Sequence, residues 1–181
     1  MLPNGSTRKH EHRQVVHELE EPLEITDEAW ESICRLFSDA FENSLHCTIA
    51  SVSEDGVPRA TPIGSLILRP NRTGFYFEEY ISGLERNLRT NNRVCVMAVN
   101  SSKALFFKML LFGEFTETIA VRLVGTAGEK RPASNEEIAL FRKRVSPYRM
   151  LKGHDILWGN LKYVRDITFD SFEPVHLVPP Q

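Results

Sequence analysis

The apolar positions of the chain change their spacing several times, and each change predicts a different element. Over residues 26–41 they recur every three or four positions, which places Trp30 and Phe37 on one face of a helix. Thr26 is a suitable N-cap for this helix, and the two acidic residues after it suit the positive end of the helix dipole. The segment therefore predicts a packing helix to which we assign no chemistry.

Shorter apolar runs separated by turn residues predict a series of strands. We expect strands over residues 45–53, 58–68, 75–79, 94–99, 119–129 and 163–171. Asp55-Gly56 is typical of a tight hairpin turn between the first two. The run over 94–99 is apolar on both faces, which predicts a strand buried on both sides of its sheet. About six strands in meander order, with helices between them, favour a small antiparallel barrel.

Two polar signatures predict the starts of further helices. Residues 82–90 form a short basic helix in which Ser82 and Glu85 are expected to make a capping box. Residues 134–145 carry the same signature and end before Pro147, which cannot continue a helix.

Residues 103–112 form an unusual segment that is apolar on nearly every side. Ser102 can cap a helix here and Gly113 can end it, so a helix is favoured over a strand. A helix of this kind needs burial all round, and a second subunit is its simplest cover. Contact with a membrane surface is the less favoured alternative, because only Lys103 and Lys108 could form a polar face.

The composition of the chain mainly excludes certain partners and locations. A chain of 181 residues with 41% hydrophobic and 25% charged residues is typical of one soluble domain. Its formal net charge of -2 provides no field that would attract nucleic acid or an anionic membrane, so neither is expected as a partner. The three cysteines include no Cys-x-x-Cys pair, and we find no secretory signal or membrane span. We therefore expect a cytoplasmic protein.

The first part of the chain differs in character from the rest. Residues 1–24 mix charges with histidines and show no apolar period, which predicts a flexible N-terminal arm before one domain over 25–178. His10 and His12 have no partner ligands nearby, so no metal site is predicted. His154 precedes Asp155, but sequence neighbours rarely form a catalytic dyad, and no catalytic residue is named.

The strand around Pro62 and the helix that begins near Ser82 are the most informative features. A proline inside a strand cannot donate to the ladder, so its backbone must be an edge, a bulge or a ligand contact. The apolar residues beyond Pro62 indicate a buried strand, which favours a ligand over open solvent. A helix N-terminus offers free amides that attract phosphate. Together they predict a flat, phosphate-bearing ligand along the sheet.

In their order and spacing these motifs resemble the pyridoxamine-phosphate oxidase-like, FMN-binding split-barrel superfamily over roughly residues 45–172. The resemblance rests on Gly56-x-Pro58 with Ala60-Thr61-Pro62, on Phe75-Tyr76-Phe77, on Ser82…Arg86-Asn87-Leu88…Asn92-x-Val94 and on the run from Val121 to Ala127. It implies a mainly β (α+β) fold, a six-stranded antiparallel split β-barrel with peripheral helices. It also implies a homodimer with FMN in clefts between the subunits.

The resemblance further implies a set of cofactor-binding residues. They are Arg59, Thr61, Pro62, Ser82, Arg86, Asn87 and Trp158. The first three correspond to the strand along the flavin, the next three to the phosphate end, and the last to an aromatic ring from the partner subunit. Purely structural roles stay open at this point, since Ser82 can simply cap its helix and Arg86 can belong to a solvated basic edge.

The chain also departs from the family pattern. Gly83 and Leu84 stand where the oxidase carries adjacent basic residues for phosphate, and Ala120 replaces an expected glutamine. The segment that grips pyridoxal phosphate has no counterpart near the C-terminus. Vitamin B6 oxidation is therefore not expected, and Arg86 is left as the obvious cation at the phosphate end.

Three functions are compatible with these residues. The leading one is an FMN-dependent oxidoreductase with a small-molecule substrate and a nicotinamide electron donor, in which a deazaflavin could replace FMN. The second is a non-catalytic split-barrel dimer that binds flavin, haem or another planar ligand. The third is a cofactor-free interaction module. In the first case the flavin carries the chemistry and the protein orients it.

Overall fold

A computed structural model describes residues 22–79, 82–113 and 118–176 of the chain. Within these ranges the strands are β1 Leu23–Glu24, β2 Cys47–Val52, β3 Pro58–Ile63, β4 Ile67–Arg69, β5 Thr73–Phe77, β6 Arg93–Val99, β7 Ala120–Pro132 and β8 Tyr163–Val175. The helices are α1 Asp27–Ser44, α2 Ser82–Thr90, α3 Lys103–Phe112, α4 Asn135–Val145 and α5 His154–Trp158, with a 3₁₀ turn at Ser146–Tyr148.

The strands form one antiparallel sheet whose two edges are brought together by the chain. Their order is β3-β2-β6-β7-β8-β5-β4, and β1 pairs with β8. Only residues 64–66 connect β3 to β4, although these strands lie at opposite edges. Such a link spans at most about 14 Å, whereas a flat sheet of seven strands would separate its edges by roughly 29 Å. The sheet must therefore curl on itself, and since no ladder joins β3 to β4 in the described residues, the barrel is split.

The predicted split barrel is confirmed, but some strands differ from expectation. The strand predicted over 58–68 is two strands, β3 and β4, because the chain crosses from one sheet edge to the other at 64–66. The last strand continues to Val175, and β1 adds a short pairing to it. Residues 1–21 of the predicted arm lie outside the described residues.

Strand β6 is not buried on both faces, so that prediction is wrong. Val94, Val96 and Ala98 are buried, whereas Cys95 and Met97 are only partly covered. The strand has neighbours on both sides in the sheet, β2 and β7. Its buried residues belong to the hydrophobic core, and its other face has less cover within a single chain.

Helices α1 and α4 begin where the sequence predicts them. Thr26 caps α1 by accepting a hydrogen bond from the Ala29 N–H at 3.2 Å. Ser134 and Glu137 form the predicted capping box of α4, with bonds of 3.2 and 2.8 Å in the two directions. Helix α1 packs on the main core, and α4 packs on a second aromatic cluster around Phe141.

Four charged side chains tie α4 to the barrel. Arg131 donates to Glu137 at 2.6 Å and to Asp166 at 2.6 Å, and Arg69 contacts both of these carboxylates. The hydrogen bond from Arg131 lowers the pKa of Glu137. Partial burial opposes a low pKa at Asp166, but hydrogen bonds from Arg131 and Arg69 outweigh it and lower that pKa as well.

This ion-pair network predicts a specific acid sensitivity. Because both folded-state pKa values are lowered, the network stabilises the fold above the unfolded-state pKa values of about 4, and this contribution is lost as the pH falls through the folded-state values. We expect Arg131→Met to lower the free energy of unfolding at pH 7 and to flatten its decline in acid. Urea denaturation over a pH series measures both effects. Arg142→Met, an exposed change on α4, is the control, and parallel curves for wild type and Arg131→Met would contradict the prediction.

Helix α3 is confirmed as a helix, but a single chain leaves it uncovered. Ser102 caps its start, and Gly113 ends it with a φ of 68°. Met109 is 3% exposed, whereas Phe107 is 67% exposed, and most other residues of the helix are also exposed. In the described parts of the chain no helix combines the length and apolar character needed to cross a membrane. The second subunit that we expect to cover α3 stays a prediction.

Phe107→Asp tests that expectation directly. A carboxylate at the centre of an apolar interface would be desolvated without a partner, so we expect association to weaken by roughly tenfold or more. Analytical ultracentrifugation over a concentration series measures the change. Leu140→Asp is the matched control, because Leu140 is a 52% exposed apolar residue on α4. Equal association of wild type and Phe107→Asp would exclude α3 from the interface.

Candidate functional site

A cleft of about 670 Å³ lies between the β2–β3 hairpin and the first turns of α2. This size is ordinary for a small-molecule or cofactor site. The hairpin lines it with Arg59, Ala60 and Thr61, and α2 lines it with Gly83, Arg86 and Asn87. We call it the hairpin cleft. It brings together four of the predicted cofactor-binding residues, namely Arg59, Thr61, Arg86 and Asn87.

The hairpin turn fixes where the strand side chains point. Gly56 has a φ of 79°, and the Ser53 hydroxyl donates to the Val57 carbonyl at 2.9 Å. From this turn the ladder places Arg59 opposite Ser51. Directly opposed residues of an antiparallel pair share one face of the sheet. Arg59 therefore projects on the same face as Ser51.

Asn87 joins α2 to that face. Its side chain is buried, and its Nδ2 donates to the Ser51 hydroxyl at 3.0 Å. Asn87 is therefore an inward-facing residue of α2. The sequence offers one signal for this contact, because Ser51 is polar at an inward position that follows Cys47 and Ile49 along β2.

Pro62 lies on an edge strand, so the prediction of a buried strand is wrong. Pro62 is exposed and pairs with Thr48 without a break in register. The Ser53 N–H donates to the Val57 carbonyl at 3.0 Å, so Ser53 and Val57 are a hydrogen-bonded pair. Hydrogen-bonded and non-hydrogen-bonded pairs alternate along an antiparallel ladder. The backbone nitrogens of residues 58, 60 and 62 therefore point away from β2. A proline costs no ladder hydrogen bond at such positions. Pro62 does not line the hairpin cleft, whereas Ala60 does and directs its N–H to the open edge.

The start of α2 differs from the predicted capping box. Ser82 lies within the described helix rather than at its N-cap, and it does not line the cleft. The Glu85 carboxylate instead binds Arg89 at 3.0 Å and Lys130 at 3.5 Å, and these contacts, led by the Arg89 hydrogen bond, lower the pKa of Glu85. The negative charge of Glu85 is thereby balanced by two cationic side chains. Among the described residues, the carboxylate does not accept a hydrogen bond from the backbone at the start of the helix, whereas in a capping box it would.

The departures from the family pattern at 83 and 84 have structural reasons. Leu84 is 1% exposed and belongs to the main core, so a charged residue would not be tolerated there. At Gly83, none of the neighbouring atoms that the structure describes lies within 4 Å of the position that a Cβ would occupy. The backbone of this turn is therefore open to the cleft, and a longer side chain at 83 would have space.

Two guanidinium groups in the hairpin cleft form no ion pair with a carboxylate of the described residues. Neither Arg59 nor Arg86 makes an ion pair with any residue that the structure describes. The turn contributes Glu54 and Asp55 to the rim of the cleft. The hydrogen bond from the Ser53 hydroxyl is the main cause of the lowered pKa of Asp55, and the charge of Arg59 lowers this pKa further although the two groups form no ion pair. The arginines remain available for an anion.

Trp158 lies outside the hairpin cleft of its own chain. Its ring packs 6.4 Å from Phe141 and 6.1 Å from Tyr148, measured between centroids. The predicted approach of Trp158 to a partner's cofactor stays a prediction. His154 hydrogen-bonds to Asp155 at 2.8 Å, both belong to the short helix α5, and the expectation that they form no catalytic dyad stays a prediction.

A sequence model of the pyridoxamine 5'-phosphate oxidase family matches residues 36–167. This match covers more than half of the chain and includes the whole hairpin cleft. The chain belongs to this family. No protein in a curated set matches the chain.

Several solved structures share the fold. HupZ from Group A Streptococcus is 18% identical, with a TM-score of 0.53 over 84% of this chain and 95% of that chain. An FMN-binding protein from Syntrophomonas wolfei is 13% identical, with a TM-score of 0.54 over 83% and 94%. An F420 reductase is 12% identical, with a TM-score of 0.51 over 76% and 95%. At such identities the likeness establishes the split-barrel fold of this family member and nothing about its ligand.

Proposed function

We propose that this chain binds FMN in the hairpin cleft and uses it in an oxidation–reduction reaction. The observation that carries the proposal is a pair of arginines, Arg59 and Arg86, that line the cleft beside the first turn of α2 and form no ion pair with any described residue. Guanidinium groups bind phosphate through charge-assisted hydrogen bonds. A helix N-terminus adds backbone donors and a favourable dipole for the same anion.

The donor set of the cleft fits a flavin mononucleotide. Arg86 and the backbone of Gly83 would hold the phosphate, and Arg59 and Thr61 would lie along the ring system. The Ala60 N–H on the open edge of β3 supplies a backbone donor for the polar edge of that ring. When bound, a flavin supplies reversible electron and hydride transfer, whereas the residues of the chain bind it, orient it and restrict access of water. No side chain is proposed as an acid or base.

Two comparisons support a flavin over other phosphate compounds. The chain belongs to the pyridoxamine 5'-phosphate oxidase family, and a protein of the same fold from Syntrophomonas wolfei is an FMN-binding protein. A deazaflavin is the second candidate, supported by the F420 reductase of the same fold. We propose a substrate other than a B6 vitamer, because the chain departs from the oxidase pattern at Gly83, Leu84 and Ala120, and a nicotinamide as the electron donor.

The visible spectrum of the purified protein tests the proposal. A band at about 450 nm with a shoulder would indicate a flavin, since the cofactor's own electronics set its absorption. If the protein is colourless, FMN is added and its fluorescence followed, and we expect saturable quenching. Bleaching by NADH or NADPH then separates an oxidoreductase from a flavin carrier. A colourless protein that leaves FMN fluorescence unchanged would overturn the proposal.

A further inference from the structure

A second, smaller cavity lies between α1 and the barrel, away from the hairpin cleft. Its volume is about 110 Å³, and it shares no lining residue with the hairpin cleft. We call it the α1 cavity. Its wall is mostly apolar, with Phe37 and Phe41 from α1 and Leu66 and Leu68 from the barrel.

One cation reaches into this apolar space. The Arg144 guanidinium extends from α4, stacks over the Phe41 ring at 4.5 Å from its centroid, and donates to the Leu66 carbonyl. Among the described residues Leu66 supplies its sole acceptor, and no carboxylate lies within ion-pair distance. A guanidinium carries five N–H donors. No enclosed side-chain nitrogen of the described residues lacks a partner, so the remaining donors of Arg144, which lines the cavity, are not sealed inside the protein.

The other titratable groups in the wall do not balance this charge. Burial raises the pKa of the Cys47 thiol to about 12 and also raises that of Cys34, so both are neutral at pH 7. His46 lies at the exposed rim, and its Nδ1 hydrogen-bonds to the Ser44 carbonyl at 2.7 Å. Partial burial lowers the pKa of Arg144, as expected for a cation that has lost water without gaining a counter-ion.

We propose that the α1 cavity binds a small carboxylate with a short aliphatic tail. The carboxylate would bind the Arg144 fork, whose planar geometry matches it with two parallel hydrogen bonds. The tail would pack against Phe37, Leu66 and Leu68. The cavity is equal to about four water molecules at roughly 30 Å³ each, and it is partly open to solvent, so butyrate, with six heavy atoms, would fit with the end of its tail in the opening, whereas a flavin is excluded. The site stands independently of the proposed FMN site.

Titration of the full chain with sodium butyrate, followed in ¹H–¹⁵N correlation spectra, tests the proposal. We expect saturable shifts around the α1 cavity with a Kd in the millimolar range or below. Butyramide, a neutral molecule of the same shape, and sodium chloride at equal ionic strength should give no such shifts. Arg144→Met should weaken butyrate binding by about tenfold or more. Arg142→Met, an exposed arginine on the same helix, should leave it unchanged.

Several results would overturn the proposal. They are the absence of saturable shifts, equal binding of butyramide, equal binding of inorganic phosphate, and an unchanged Kd in Arg144→Met. Arg144→Met also removes the bond to Leu66, and if that variant does not fold, Cys34→Phe fills the cavity from α1 and leaves Arg144 in place. Butyrate binding that survives Cys34→Phe would equally exclude the cavity. Repeating the titration with excess FMN should give the same Kd, because the two sites share no residue.

Discussion

Arg86→Ala is expected to weaken FMN binding by roughly 10- to 150-fold, because a charge-assisted hydrogen bond contributes about 1.5–3 kcal/mol. Arg86 is exposed and has no ion-pair partner in the described residues, so its removal should leave the fold intact. Titration of the apoprotein with FMN, followed by flavin fluorescence, gives the Kd. Urea denaturation of the same samples establishes that the free energy of unfolding is unchanged.

Two variants on the same helix sharpen this test. Arg89→Ala removes an arginine that pairs with Glu85 at 3.0 Å and does not line the hairpin cleft, so FMN affinity should be retained. Gly83→Arg places a cation where the chain leaves open space, and it should strengthen FMN binding. If Arg86→Ala and Arg89→Ala bind FMN as tightly as wild type, the phosphate lies elsewhere.

Glu78→Gln is expected to lower the free energy of unfolding by about 3–5 kcal/mol, the usual effect of leaving one member of a buried ion pair without its partner. Glu78 is 1% exposed and Arg165 is 5% exposed. Arg165 donates to the two oxygens of Glu78 at 3.0 and 2.9 Å, and the Tyr76 hydroxyl donates to the same carboxylate at 3.2 Å. Urea denaturation measures the loss as a lower midpoint with an unchanged slope.

A double variant separates the missing partner from simple loss of packing. Glu78→Leu combined with Arg165→Met removes both charges and keeps apolar volume, so it should recover most of the lost stability. Arg93→Met breaks the half-exposed pair with Asp170 and should cost about 1 kcal/mol or less. Equal destabilisation by Glu78→Gln and Arg93→Met would refute the assignment of Glu78 and Arg165 as a strongly coupled buried pair.

Features of the fold that depend on neighbouring residues could be predicted from the sequence. The caps at Thr26 and Ser134 and the turn at Gly56 follow from local hydrogen bonds and backbone conformation, and all three are present. The position of Pro62 could not be predicted in this way, because a strand is an edge only when its second side lacks a partner. That depends on the whole sheet order, in which β2 is the one neighbour of β3 among the described strands.

The candidate site could likewise be predicted only where it depends on residues that are close in the sequence. Arg59 and Arg86 reach one cleft because the order of motifs fixes a hairpin next to a helix. Ser82 lies within α2, whereas a capping box requires its serine to precede the helix. The buried partner of Arg165 lies 87 residues earlier in the chain, and no local pattern connects the two.

The position of β8 in the sheet has a consequence for biosynthesis. This strand pairs with β1, β5 and β7, and its pairing of Thr168 with Thr73 joins distant parts of the chain. A ribosome translates β8 after all of these partners. The edges of β5 and β7 that pair with β8 therefore stay unpaired until β8 has been synthesised. Such non-local closure is slow, and exposed edges invite aggregation during the delay. We therefore expect truncation before Tyr163 to yield insoluble polypeptide instead of a smaller folded barrel.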